Sequence, residues 1–407
     1  MMHLRLPGYL IVFIVLSAYL SFCSEADHTV AEQEAIDSLY ELGDTTHLLN
    51  RATEILSEPL LFPMAALNDA GPHPRGTYVS LACYWWPDSS TANGLPYQRR
   101  DGEVNPETRS EASDLPAMIE MAKRVELLSA AYFLTGDESF AEHAIEQLYF
   151  WFIDENSAML PHLEHAQMIR GRDTGRSYGV IDTWWLVRVI HSVPLLRSSV
   201  SWHDNIEVGL KNWFTHYVNW LRNSEFGVLE MQSKNNHGTW YDVQLVTFSL
   251  FIGQEEYAAE HLVAVSKARL NRQIAPTGRQ RLETRRPKPE HYSIYNLNGW
   301  MEIYAHADYL GVDINPSQRF WGGTIEDAII YLIGLMRVID FEDILDPLDR
   351  TDSDRLYFDL LLKAAERYQN QVIIDEINRI KPQVRNPELP MIRNKKTLLP
   401  VVLSYQH

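Results

Sequence analysis

The sequence predicts an all-α protein, and three observations carry that reading. Ten segments between residues 117 and 380 repeat their apolar residues at the spacing of one helix face. Convincing alternating strands are few. No Gly/Ser linker and no close internal repeat divides the helical region, so its helices, roughly a dozen, belong to one domain and pair as antiparallel hairpins.

The elements follow in chain order. Residues 1–23 read as a secretory signal, with Arg5 ahead of an apolar run from Tyr9 to Phe22 and a small-x-small site at Ser21-Phe22-Cys23. The run is short for a membrane span, and no other segment is long and apolar enough to be one. A lipid-modified Cys23 and an uncleaved anchor are the alternatives to release into the periplasm or medium. Residues 31–60 carry an amphipathic helical pattern, and 62–116 form a long Pro-, Gly-, Asp- and Asn-rich stretch of the kind that covers a cleft. The ten helices then run over 117–134, 138–153, 181–196, 206–223, 238–251, 256–272, 293–310, 325–338, 354–369 and 371–380. Residues 382–407 form a tail, leaving 24–381 as the domain.

Composition narrows the function. A hydrophobic content of 45% can fill a large core, and 11 Trp, 20 Tyr and 14 Phe are a generous supply for packing or for stacking on sugars. Once residues 1–23 are removed only Cys83 remains, so no intramolecular disulfide is expected. A net charge of −18 argues against nucleic acid as partner. Any site for a polyanion must therefore concentrate cations locally.

Four stretches do concentrate polar groups. In Ser233-Lys234-Asn235-Asn236-His237-Gly238-Thr239-Trp240-Tyr241-Asp242, Trp240 opens a helix face continued by Val243, Thr247, Leu250 and Phe251. Asn235 or Asn236 is then the N-cap, and a helix start favours an anion beside it. Ordinary capping accounts for the amides; a carboxylate receptor accounts for amides and imidazole together. Glu164-His165-Ala166-Gln167 leads to Arg170-Gly171-Arg172-Asp173-Thr174-Gly175-Arg176, a Gly/Arg loop able to meet a carboxylate. The run from Arg279 to Lys288 is the densest basic patch and precedes His291, Tyr292, Tyr295 and Asn296. Cations beside a phenol lower its pKa and suit it to moving protons. Finally Tyr84-Trp85-Trp86 and Tyr97-Gln98-Arg99-Arg100 interleave aromatics with arginines.

Together these match β-elimination on a uronic-acid polymer. That reaction needs a group that neutralises the carboxylate and so acidifies the C5 proton, a base for the proton, and an acid for the C4 oxygen. It needs no metal, and the histidines lack ligand spacing; no cofactor is expected.

Tyr84-Trp85-Trp86-Pro87, Asn105-Pro106-Glu107, Ala166-Gln167 with Gly175-Arg176, the segment Asn235 to Trp240 and the Arg-rich run before Tyr292 resemble the alginate-lyase superfamily of polysaccharide lyases, from about Tyr78 to Asp313. The resemblance implies an (α/α) toroid, an incomplete α/α barrel of six or seven helical hairpins with its cleft at the hairpin ends. It implies a neutralising amide and imidazole, matching Asn236 or Asn235 and His237, and a tyrosine as acid and base. Tyr292 is the choice for that tyrosine, with Arg286 as the cation that lowers its pKa and with Tyr295 and Tyr241 in reserve. Substrate contacts are then expected from Asn235, Trp240, Tyr241 and Tyr295, from Tyr84, Trp85, Trp86 and Arg99, and from Gln167, Arg172 and Arg176. Members act on mannuronate-rich alginate or glucuronan. In β-D-mannuronate and β-D-glucuronate the C5 proton and C4 oxygen share a side, so one tyrosine can serve both; the opposite arrangement would call on His237 as base. Two other classes compete: an (α/α)-barrel glycoside hydrolase using Asp182 and Asp242, and a non-catalytic binder of acidic glycans.

Overall fold

Helices alternate between two layers along the chain. The computed structural model describes residues 46–63, 73–315, 322–338 and 350–380, with side chains in the last segment from 356 onward. The expected signal segment, the tail and the first half of the 31–60 helix lie outside these residues.

The helices are α1 Thr46–Ile55, α2 Leu115–Thr135, α3 Glu138–Phe152, α4 Trp185–Leu196, α5 Asp204–Asn223, α6 Glu225–Met231, α7 Asn236–Phe251, α8 Glu255–His261, α9 Lys267–Gln273, α10 Pro289–Leu310, α11 Ile325–Met336, α12 Arg350–Tyr368 and α13 Gln371–Ile380. Contacts join α2 to α4, α4 to α7, α7 to α10 and α10 to α12 in an inner row. Between them in sequence, α3, α5, α8 with α9, α11 and α13 pack outside. Four inner–outer pairs, α2 with α3, α7 with α8, α10 with α11 and α12 with α13, are in contact among the described residues, while α5 packs on α3 and α7, and α1 packs on α2. This is the (α/α) toroid expected. Burial agrees with the layering. In α7 every residue but His237 is buried, the mark of a helix covered on all sides.

Ends and breaks follow local chemistry. Gly136 and Gly311 close α2 and α10 in the left-handed conformation. The segment expected as one helix over 256–272 is interrupted by a π turn at Leu262–Ser266. That register shift lets His261, Ser266 and Arg269 all reach the Asp242 carboxylate, at 2.8, 3.0 and 2.8 Å. The helix expected from 181 opens instead as a 3₁₀ turn, Ser177–Trp184, before α4. Short strands complete the long loops: β1 Val79–Leu81 pairs in parallel with β4 His165–Met168, and β2 Trp85–Trp86 pairs with β3 Gln98–Arg99.

Candidate active site

Each inner helix from α2 to α10 sends its first turn, or the residues just before it, to one cavity of about 600 Å³. Leu115, Pro116 and Ile119 come from α2, Trp184 and Trp185 from the start of α4, Asn235, Asn236 and His237 from the start of α7, and Tyr292 and Tyr295 from α10. Tyr84, Trp85 and Arg99 close it from the aromatic loop, and Gln167, Arg176, Tyr178 and Asp182 from β4 and the 3₁₀ turn. The N-termini of α2, α7 and α10 meet at this cavity, whereas α4 continues the 3₁₀ turn before it; helix N-termini favour anionic contents.

The amide–imidazole pair is held by two buried carboxylates. The Asn236 backbone N–H donates to Glu283 Oε1 at 2.8 Å, and Nδ2 donates to Oε2 at 2.7 Å. Glu283 therefore caps α7; Asn235 occupies the N-cap position, but its side chain makes no capping bond. His237 Nδ1 lies 2.5 Å from Oε1 of Glu230, a residue buried within α6. With Nδ1 engaged, Nε2 is the ring nitrogen left for a ligand. The ring also meets Tyr178 edge-on, centroids 4.9 Å apart.

Beneath this turn lies the Asp242 network. Arg269 takes both oxygens of Asp242 and donates to the carbonyls of Met231, at 2.8 Å, and Ser233. It thereby shapes the chain just before Asn235. Gly238 is required here, since a Cβ on it would stand 1.9 Å from Arg269 Nη1 and 2.2 Å from the Ser233 oxygen.

The phenol side is equally defined. Tyr292 Oη accepts from Arg286 Nη2 at 2.7 Å and lies 2.6 Å from Tyr84 Oη. The Arg286 guanidinium also covers the ring, 3.8 Å from its centroid, and Nη2 pairs with Asp101 at 3.0 Å. The expectation that cations would lower the Tyr292 pKa needs correction. Burial pushes it up, and the bond from Tyr84 and the charge of Arg286 recover only part of that rise. Burial also raises Tyr84, and either hydroxyl of the Tyr84–Tyr292 pair can donate to the other.

Other expected residues fall differently. Tyr241 belongs to the core: it is 1% exposed and its hydroxyl donates to the Leu221 carbonyl. Trp240 is buried as well, stacked on Tyr295 with its Nε1 on the Tyr295 carbonyl, outside the cavity wall. Neither can be a direct contact in this arrangement. Trp86 and Arg172 also lie off the wall; Arg172 stands over the Trp85 ring, and Arg100 over Trp86. The hydrolase pair does not assemble. Asp182 lines the cavity, but Asp242 is fully buried in its ion pair, where Arg269 and His261 outweigh the upward push of burial and hold its carboxyl at about 2. Residues not anticipated are Arg109 and Tyr178 on the wall and the anchors Glu230 and Glu283 behind it.

A two-layered (α/α) toroid with an amide, an imidazole and a cation-bound tyrosine around one cleft defines a class of carbohydrate-active protein. The family model for alginate lyase matches residues 73–337, most of the chain, and the protein belongs to that family, a polysaccharide lyase. An alginate lyase from Bacteroides ovatus superimposes with a TM-score of 0.77 and 29% sequence identity, covering 88% of this chain and 96% of that one. Alginate lyase A1-III from Sphingomonas species A1 shares the fold, at a TM-score of 0.51 and 15% identity over 83% of this chain and 87% of that one. No curated protein matches the chain.

Proposed function

We propose that the protein cleaves a polyuronate of β-D-mannuronate or β-D-glucuronate configuration by syn β-elimination, with Tyr292 as both base and acid. The observation that carries this is a cation and a second hydroxyl on one oxygen: Arg286 donates to Tyr292 Oη at 2.7 Å and Tyr84 Oη lies 2.6 Å from it, in the cavity that holds Asn236 and His237. Both can donate to the phenolate that takes the C5 proton and is restored when that proton passes to the leaving oxygen, and so stabilise it. The Asn236 amide and His237 Nε2 neutralise the substrate carboxylate and so stabilise the charge that builds on C5. The C5–H bond breaks to Tyr292, its electron pair becomes the C4=C5 double bond, and the C4–O bond breaks as the leaving oxygen takes the proton. Delivery of the enzyme to such polymers outside the cytoplasm, through residues 1–23, is part of the same proposal.

Incubation with polymannuronate and polyglucuronate should raise ultraviolet absorbance from a 4,5-unsaturated end. Tyr292→Phe should lower kcat by at least about 10²–10⁴-fold while oligouronate binding is retained. No unsaturated product from any polyuronate, or a Tyr292→Phe variant within tenfold of wild type, overturns the proposal.

A further inference from the structure

We infer that Asp182 is a positioning residue that acts through Gln167 to aim Arg176 at the substrate carboxylate, an inference that rests on the polyuronate reading of the same cleft. Asp182 is 4% exposed, lines the cavity and has no ion-pair partner among the described residues. A bare carboxylate facing a polyanion would repel it. Here its oxygens are spent instead: Oδ2 accepts from Ser80 Oγ at 2.5 Å and from Tyr78 Oη at 3.2 Å, and Oδ1 accepts from Gln167 Nε2 at 2.9 Å.

Gln167 is the transmitting element. It is one of the two non-glycine residues with positive φ among those described, at 50°. Such a conformation persists only where the surroundings enforce it. All four of its polar groups are engaged. Its N–H donates to Ser80 Oγ at 2.7 Å, its carbonyl accepts from Arg176 Nε at 2.9 Å, and Oε1 accepts from Arg176 Nη2 at 3.0 Å. The Asp182 carboxylate can only accept, so it forces the amide nitrogen toward itself and the amide oxygen toward the arginine. Without that acceptor the amide can turn over and set two donors against each other. Arg176, gripped along one edge, lines the cavity with Nη1 bonded to no described residue. Its guanidinium stands 5.2 Å from the Tyr178 ring centroid, the ring that meets His237. Arg176 is thereby tied to the wall that carries the carboxylate-neutralising imidazole.

The test is a double-mutant cycle read by calorimetric binding of uronate oligomers, which requires no turnover. Asp182→Ala should weaken binding about tenfold or more, as should Arg176→Ala, and the double variant should be no weaker than Arg176→Ala alone. Asp182→Asn, whose amide oxygen can still accept from Gln167, should recover binding to within about threefold of wild type. Losses that multiply, unchanged binding in Asp182→Ala, or an Asp182→Asn as weak as Asp182→Ala overturns the inference. If Asp182→Ala does not fold, Gln167→Ala in the same cycle with Arg176→Ala reads the coupling. A wild-type protein that binds oligomers but forms no unsaturated product overturns the elimination chemistry and leaves the cycle readable. One that binds none overturns both.

Discussion

Asp242→Asn separates a structural carboxylate from a catalytic one. The wild-type group is fully buried and bound by Arg269, His261 and Ser266. Burial alone would raise its pKa, yet the charges of Arg269 and His261 bring it to about 2 from an ordinary 3.8. The native state therefore takes up this proton less readily than the unfolded chain does. At about 1.4 kcal/mol per pKa unit the difference contributes about 2 kcal/mol of stability. That contribution is complete above the unfolded value, near pH 4, and is lost as pH falls toward 2. Removing the charge while Arg269 stays buried costs more, about 3–5 kcal/mol for a broken buried pair. Urea unfolding at neutral pH should show wild type and variant separated by that amount. By pH 3 the gap should have narrowed by about 1 kcal/mol, as the wild-type contribution is titrated away. Turnover should fall in parallel, because Arg269 also holds the Met231 and Ser233 carbonyls that shape the turn before Asn235. A gap that does not change with pH refutes the reasoning. So does a variant as stable as wild type but inactive, which is the signature of a hydrolytic carboxylate.

Three further outcomes are expected. Glu230→Gln keeps a hydrogen-bonding group beside His237 Nδ1 but removes the charge, and loss of a charge-assisted bond worth about 1.5–3 kcal/mol should lower kcat/KM about ten- to a hundredfold; steady-state kinetics within twofold of wild type would contradict the anchoring role. Gly238→Ala drives a methyl into Arg269 and the Ser233 carbonyl, so thermal unfolding should register a loss of about 1–3 kcal/mol together with reduced activity; an unchanged midpoint refutes the packing. Tyr241→Phe removes one buried hydrogen bond and should cost about 1 kcal/mol with kcat unchanged; a collapse of kcat would return this tyrosine to the cleft.

Helix positions were legible because core burial imposes a period that does not depend on which partner covers the face. The breaks were not. The π turn at Leu262–Ser266 leaves the apolar spacing of 256–272 almost untouched, and its cause, the Asp242 carboxylate, is 20 residues or more away from most of its ligands. Short α6 has no room for a periodic pattern, although Ser224 caps it by accepting from the Gly227 N–H. The site divides the same way. Asn236, His237, Arg286 and Tyr292 stood out as polar clusters at helix starts, and all four line the cavity. Trp240 and Tyr241, expected as contacts from the resemblance, are instead packed within α7, which is covered all round. Glu230 and Glu283 look like surface acids in sequence; the available signal for Glu283 was a lone acid inside a basic run.

Those two acids explain how an acidic protein can hold a polyanion. The wall carries Arg99, Arg109, Arg176 and Arg286, and the chain as a whole is at −18. Buried cations and free N–H groups are costly to assemble without counter-charges. Here the counter-charges stand behind the wall rather than on it: Glu283 behind Asn236, Glu230 behind His237 and Asp101 beside Arg286. Glu283 takes the backbone N–H and one Nδ2 hydrogen of Asn236, Glu230 takes Nδ1 of His237 and leaves Nε2, and Asp101 shares Arg286 Nη2 with Tyr292. Two carboxylates do line the wall, and both are engaged: Asp182 spends its oxygens on Ser80, Tyr78 and Gln167, and Glu120 pairs with Arg124. The electrostatics of the cleft therefore depend on where its acids sit: Glu283 even occupies the N-terminus of α7, leaving the starts of α2 and α10 to add to the positive side.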